Sequence, residues 1–377
     1  MKLFKSLLVA PATLGLLAPM SATATEVTIN DFNPAEELAV TNSRLDGLEA
    51  RFNNFEAGSF SETTTASFSV DFYLGSTDTT FLETNTGIAT DNDFDDAVMA
   101  AYSFQIDLNT SFTGEDSLDI SLDAGNADAA GVAEFDGNGG SDGLTVDGVA
   151  YTFPLGGATV FVGDNSDGSS LFTTACVYGG PSNTLDDCAN VNAGFTGGAV
   201  AAGASYDFGN GFTAATGMQT STTGILTEES LDSYGLNAAY TGENYGLSIT
   251  YGLTETSTTE EDTATAFNAY YTPEGLLPSL SVGYEMVDIG GAAATVDEKI
   301  SFFFGLTWDE VGPGSLGVAL GHSNTVEDSD EEYMYEAYYS YPVNDAMTVT
   351  PLVFVKETAD PKYDDTTGVM VKTSFSF

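Results

Sequence analysis

Positive charge is what this chain has least of: eight Lys and Arg stand against 56 Asp and Glu in 377 residues. Nucleic acid is thereby excluded as a partner, because neutralising phosphates takes cations. Histidine is nearly missing. His322 is the sole copy, and no Ser-His-Asp spacing around it rises above chance, so no enzyme is expected. Beyond the first two dozen residues there is no long apolar run, so any passage through a bilayer must be made by strands. Metal sites are poorly served too. DNDFDD at 91–96 opens like a calcium loop but has no Gly at the sixth position, and Tyr102 stands where the twelfth needs Glu. DGNGGSDG at 136–143 lacks the recurrence of a calcium-binding solenoid. No cofactor is expected.

Aromatics, Gly and Thr are abundant. An acidic disordered chain would match the charge, but 25 Phe and 18 Tyr are too many for one. Those residues, with scarce Lys, Arg and Gln, suit an all-β protein. The last eleven residues, TGVMVKTSFSF, show the pattern at its clearest. Val369, Val371, Phe375 and Phe377 share one parity, while Lys372, Ser374 and Ser376 share the other. A barrel wall needs such alternation, since successive side chains point in turn at lipid and lumen. Ending on an aromatic, Phe377, is how bacterial outer-membrane barrels close.

The pattern recurs upstream, predicting a transmembrane, antiparallel, up-and-down β-barrel of about sixteen strands over 63–377. Clear strands fall at 67–74, 99–108, 117–124, 234–240, 245–253, 265–271, 279–286, 299–308, 315–321 and 333–341; the region 144–220 is weaker. Connections alternate in length. Tight turns at 208–212, 241–244, 272–279, 309–315 and 342–347 are interleaved with long acidic segments at 219–233, 254–263, 288–298, 322–332 and 357–367. Short turns at one rim and long loops at the other are the asymmetry of an outer-membrane barrel.

Parity sorts the wall. Phe68, Val70, Phe72, Tyr102, Phe104 and Ile106 face lipid, as does the row Ile300, Phe302, Phe304, Leu306 and Trp308, whose Trp is a girdle aromatic. Asp71, Asp107, Asp119, Asp123, Glu285, Lys299, Glu336 and Lys372 face the lumen. So many inward charges imply water, because burying them unpaired would be prohibitive. Inward Tyr270 and Tyr338 are the only candidates for stacking a sugar. The third long loop, 164–197, carries Cys176 and Cys188, which admit a single intramolecular pairing, along with Asp186 and Asp187. Such a loop is either a plug folded into the lumen or a stapled surface loop.

Residues 1–24 read as a signal peptide: Lys2 and Lys5, an apolar stretch from Leu7 to Leu17, and the cleavage site Ala22-Thr23-Ala24. Removing them leaves six basic residues against 56 acidic ones, a net charge of −50. After a short segment at 25–33, a helix is predicted over 34–57. Leu38, Leu45 and Phe52 recur every seven residues beside Thr41, Leu48 and Phe55, a three-heptad seam. It is too brief to be stable alone. Assembly into an oligomer would sustain it, and an amphipathic helix packed on its own domain is the other reading.

The opening MKLFKSLLVAPATLGLLAP, the segment TNSRLDGLEARFNNFEAGSFSETTTASFSVDFYL and the Phe377 terminus together resemble the porins of cyanobacteria, relatives of the carbohydrate-selective porin family. The resemblance implies a homotrimeric channel in outer-membrane lipid, delivered by the barrel-assembly machinery, that passes small solutes and inorganic ions. Relatives usually carry an S-layer-homology domain between signal and coil. Only about ten residues, Thr25 to Pro34, occupy that place here, so a peptidoglycan tether is not implied. A cation-preferring diffusion channel is the expectation. Its competitors are a substrate-specific channel for sugar or iron, and a surface-interaction barrel with a closed lumen.

Overall fold

The computed structural model describes residues 63–78, 97–127, 130–135, 137–139, 142–225, 227, 230–291, 297–327, 329–358 and 364–377. All belong to the second of two compact units, Ser59–Phe377. The leader, the heptad seam from Leu38 to Phe55 and the acidic run at 91–96 lie outside the described residues.

Sixteen strands follow one another in chain order: β1 (Thr64–Asp78), β2 (Met99–Thr110), β3 (Ser117–Gly125), β4 (Thr145–Leu155), β5 (Ala158–Asp164), β6 (Val200–Asp207), β7 (Phe212–Thr220), β8 (Asp232–Thr241), β9 (Tyr245–Ser257), β10 (Glu260–Tyr271), β11 (Ser279–Asp288), β12 (Glu298–Val311), β13 (Gly314–Val326), β14 (Met334–Asn344), β15 (Met347–Lys356) and β16 (Thr366–Ser376). Each pairs antiparallel with its neighbours, and β1 pairs β16 to close the barrel. The aromatic terminus makes the closing seam. Phe377 N–H donates to the Phe68 carbonyl at 3.0 Å, Phe68 N–H donates back at 2.9 Å, and the two rings stack 5.7 Å apart. Closure leaves no strand edge, which is the condition for a sheet to sit in hydrocarbon.

Parity holds through the wall. Leu236, Val353 and Val369 present half or more of their surface outward, while their chain neighbours Leu352 and Met370 are buried inside. The weakly patterned region 144–220 contains β4 to β7, built largely of Ala, Gly and Thr, whose small side chains blur the alternation. One connection departs from expectation. The segment 254–263 is not a long loop, because β9 and β10 run on to Ser257 and Glu260, with Thr258 and Thr259 alone between them. Its acidic composition reads as loop. Thr-rich backbone still pairs well, and Thr254↔Asp262 and Glu255↔Glu261 continue the ladder into a polar hairpin.

The interior is not uniformly polar, contrary to what the inward charges implied. Tyr73, Phe303, Met334, Tyr338, Leu352, Phe354 and Met370 project inward into one apolar cluster with Val132, Phe135, Leu185 and Cys188 from two long loops. The second long loop contributes through a 3₁₀ turn, Ala130–Phe135, that packs on β1, β2 and β16. Such a cluster requires cover from water, which the loops supply.

Candidate functional site: the lumen and its inward loop

The third long loop spans 165–199, slightly longer than predicted, and folds into the barrel. A series of bonds ties it to inward-facing wall residues. Gly168 N–H donates to Gln219 Oε1 on β7 at 2.9 Å, and Thr173 N–H to Asn237 Oδ1 on β8 at 2.9 Å. Ala175 N–H donates to Ser248 Oγ on β9 at 2.9 Å, and Val177 N–H to Ser281 Oγ on β11 at 3.0 Å. On β10, Asn268 Nδ2 donates to the Cys188 carbonyl at 2.7 Å. Loop backbone taken into an interior must find partners, and here the wall provides them in strand order.

Space for the loop comes from glycine. At Gly235, Gly252 and Gly305 a Cβ would run into Phe195, Ala193 and Tyr178 respectively. At Gly217 and Gly283 it would strike the carbonyls of Gly168 and Cys188. Cys176 and Cys188 are joined as a disulfide inside this loop. Cys188 and Ala189 both adopt positive φ, near 53° and 58°, a conformation that non-glycine residues hold only when surroundings fix it. The loop is therefore a plug, and the surface-staple alternative is removed.

Two nominated carboxylates prove to be anchors. Glu285 and Glu336 face inward as parity required, yet they are 0% and 4% exposed. Glu285 accepts bonds from Asn192 and Ala193, and Glu336 accepts one from the Tyr178 hydroxyl at 2.5 Å. Neither lines open water, because the loop covers both; their assignment as selectivity residues is corrected. Tyr338 is corrected likewise. It lies 5% exposed against Tyr178, with no face left for a sugar.

Two of the lysines have carboxylate partners. Lys372 pairs with Asp71 at 3.3 Å and lies over the Tyr73 ring. Lys356, which parity arguments did not nominate, pairs with Glu134 of the second loop at 3.0 Å and donates to Thr184 Oγ1 of the third loop. Asn183 N–H completes the junction on the Glu134 carbonyl at 2.7 Å. Lys299 is half-buried at the loop end of β12, opposite Val287 and Val326.

The remaining wall carboxylates sit together on β2 and β3 and bond neutral groups. Asp107 accepts from Gln105 at 2.9 Å and Ser121 at 2.7 Å. Asp119 accepts from Asn109 at 2.5 Å and Ser117 at 2.7 Å, and Asp123 from Thr145 at 2.5 Å. Asp186 and Asp187 are exposed on the third loop. The residues missed from sequence were Asn237, Asn268, Ser248, Ser281 and Gln219. Their signal was present as small polar groups and glycines at inward parity, where an open channel has no need of them.

A closed antiparallel barrel of sixteen strands is the class this chain falls in, and bacterial porins share it. A mutant of Rh. blastica porin matches with a TM-score of 0.56 at 13% identity, covering 83% of this chain and all of that one. The high-pH structure of OprB from Pseudomonas putida matches with a TM-score of 0.57 at 13% identity, over 84% of this chain and 94% of that one. At such identity the likeness is one of fold. No protein-family model matches the chain. In sequence, the uncharacterised protein alr4550 of Nostoc sp. is 31% identical over 175 residues, 41% of this chain and 28% of that protein. The match thus spans less than a third of that relative's length.

Proposed function

We propose that the chain is a general diffusion porin of the outer membrane, passing small solutes and inorganic ions with a preference for cations. The charge arrangement in the lumen carries this reading. Lys356 and Lys372 are each tied to a carboxylate, while Asp107, Asp119 and Asp123 form a wall whose bonds among the described residues are to neutral donors. Cations are drawn to such a surface and anions repelled within roughly a Debye length, about 8 Å at physiological salt. The side-chain row on the outside supports a lipid setting, since exposed Leu236, Leu247, Phe72 and Val369 are costly in water and at home in hydrocarbon.

In this reading the water path runs between the third loop and the carboxylates of β2 and β3, because the apolar cluster fills the lumen from β12 round to β1 and the first residues of β2. Three copies associate through barrel faces, with the heptad seam from Leu38 to Phe52 adding a parallel coil. The closed-lumen alternative has its own observation in the same cluster, which runs from β12 round to Tyr73 on β1 and Ala101 on β2. Planar-bilayer recording separates the two: ohmic current is expected, and a silent barrel would sink the channel reading.

A further inference from the structure

The second long loop, between β3 and β4, is fastened to the rest of the lumen by an ion pair. Lys356 on β15 reaches Glu134 Oε1 at 3.0 Å and donates to Thr184 Oγ1 of the third loop at 3.0 Å. Thr184 in turn donates to Glu134 Oε2, from its hydroxyl at 2.9 Å and from its backbone N–H at 3.3 Å. Wall, second loop and third loop thus meet at one carboxylate. The Lys356 side chain is 43% exposed, so the knot stands at the water side, where an ion pair is weak and salt screens it. Beneath the same loop lies a small polar cavity of about 170 Å³. The wall lines it with Ser69, Asp71, Gln105 and Lys372, and the loop covers it with Phe135, Gly137 and Asn138. At Gly137 a Cβ would strike Ser103 and Tyr73, so the loop backbone rests directly on the wall. Ser103 is only 7% exposed under it. The loop's apolar holds are Val132 and Phe135, 0% and 4% exposed. Most of what it covers is polar or charged, so raising it wets groups that suit water, and the cost falls mainly on those two side chains.

We propose that the second loop is a lid over the Asp71–Lys372 pair, latched through Lys356 and released as ionic strength rises. Closed, it narrows the water path beside the β2–β3 carboxylates. Open, it admits ions to Asp71 and Lys372. As a control on conduction the lid rests on the channel reading, whereas its movement can be tested apart from that reading.

Ser103→Cys places a thiol under the lid, and because the two native cysteines are joined to each other it is the only free one. N-ethylmaleimide, which is uncharged, should label it in the full-length mature protein only when the loop lifts. Raising NaCl from about 0.1 M to about 1 M should speed labelling about two- to fivefold, the range an exposed ion pair supplies. With Lys356→Met or Glu134→Gln added, labelling should start at the fast rate and no longer respond to salt, and combining the two should add nothing further. Lys356→Arg, which keeps a cation within reach of Glu134, should keep the salt response. A rate that ignores salt in Ser103→Cys alone, or that rises equally with salt when Lys356→Met is added, overturns the latch. In planar bilayers at low salt, Lys356→Met should carry a larger unit current than the native chain. Equal currents overturn the lid's part in conduction. A silent bilayer overturns the channel reading instead, and the labelling still decides the lid.

Discussion

Asn192 and Glu285, 93 residues apart, are joined by two hydrogen bonds, backbone N–H to Oε1 at 2.8 Å and Nδ2 to Oε2 at 2.7 Å. Ala193 N–H adds a third at 2.7 Å, so a fully buried carboxylate is held by amide donors instead of a cation. Bonds to a charged acceptor contribute about 1.5–3 kcal/mol each, and orphaned backbone N–H groups cost about 1–3 kcal/mol.

Glu285→Ala should therefore loosen the third loop at its β11 anchor. We expect a lower unfolding midpoint together with larger, noisier unit current. Glu285→Gln, which keeps the shape and one acceptor oxygen, should fall between the two. If all three channels have the same current, this anchor does not hold the loop.

Reduction of Cys176–Cys188 should have a smaller effect on conductance than loss of Glu285. Closing a ring of this length is worth roughly 3 kcal/mol against the unfolded chain. In the folded barrel the loop's bonds to Gln219, Asn237, Ser248 and Ser281, and the one from Asn268, remain. Cys176→Ser/Cys188→Ser should thus lower thermal stability while unit conductance changes modestly, mainly in noise. Collapse of the loop out of the lumen, seen as a large permanent rise in current, would show the staple to be the principal restraint.

Selectivity should follow the β2–β3 wall. Asp107→Asn/Asp119→Asn/Asp123→Asn is expected to lower the cation-to-anion permeability ratio at low salt, with the difference shrinking in brine as charges are screened. Lys372→Met should raise the ratio by releasing Asp71 from its partner. Reversal potentials in a salt gradient measure both. A wild-type potential of anion-selective sign would refute the arrangement.

The turn between β2 and β3 should show acid sensitivity. Asp116 accepts from the Tyr151 hydroxyl at 2.7 Å, from the Thr113 amide and hydroxyl, and from Ser111, and these bonds hold its carboxyl well below the usual carboxylate range. Burial acts in the opposite sense and is outweighed. A depressed value in the folded state means that the stabilisation is present above the unfolded pKa of about 3.9 and is lost as pH falls towards the folded one. Unfolding midpoints of the native protein should drop more steeply below about pH 4 than those of Asp116→Asn. Parallel pH profiles would show that the cap contributes nothing.

Assembly is open to native mass spectrometry in mild detergent. A trimer is expected for the mature protein, and replacing Leu38, Leu45, Leu48 and Phe52 by Ser should weaken it without abolishing it, because in the proposed assembly barrel faces supply most of the contact. A monomer under conditions that preserve other trimeric barrels would be contrary.

Much of the wall was legible from local pattern, because side-chain parity along a strand is a property of consecutive residues. In TGVMVKTSFSF alternation alone puts Lys372 on the inner face and Val369 on the outer one, and β16 keeps that order, with Met370 buried beside them. Polarity misled only where backbone pairing continued past the apolar belt, as at Thr254–Asp262. Which inward groups meet water was another matter. Asp107 and Glu285 have the same sequence signature, an acidic residue at inward parity in an alternating strand. One stays on the wall among Gln105 and Ser121, while the other vanishes beneath Asn192 and Ala193. That difference depends on where a loop from between β5 and β6 comes to rest across the barrel, a long-range docking set by glycine gaps and single side-chain acceptors on five other strands. Strand periodicity alone determined the barrel, and tertiary contact decided what its interior holds.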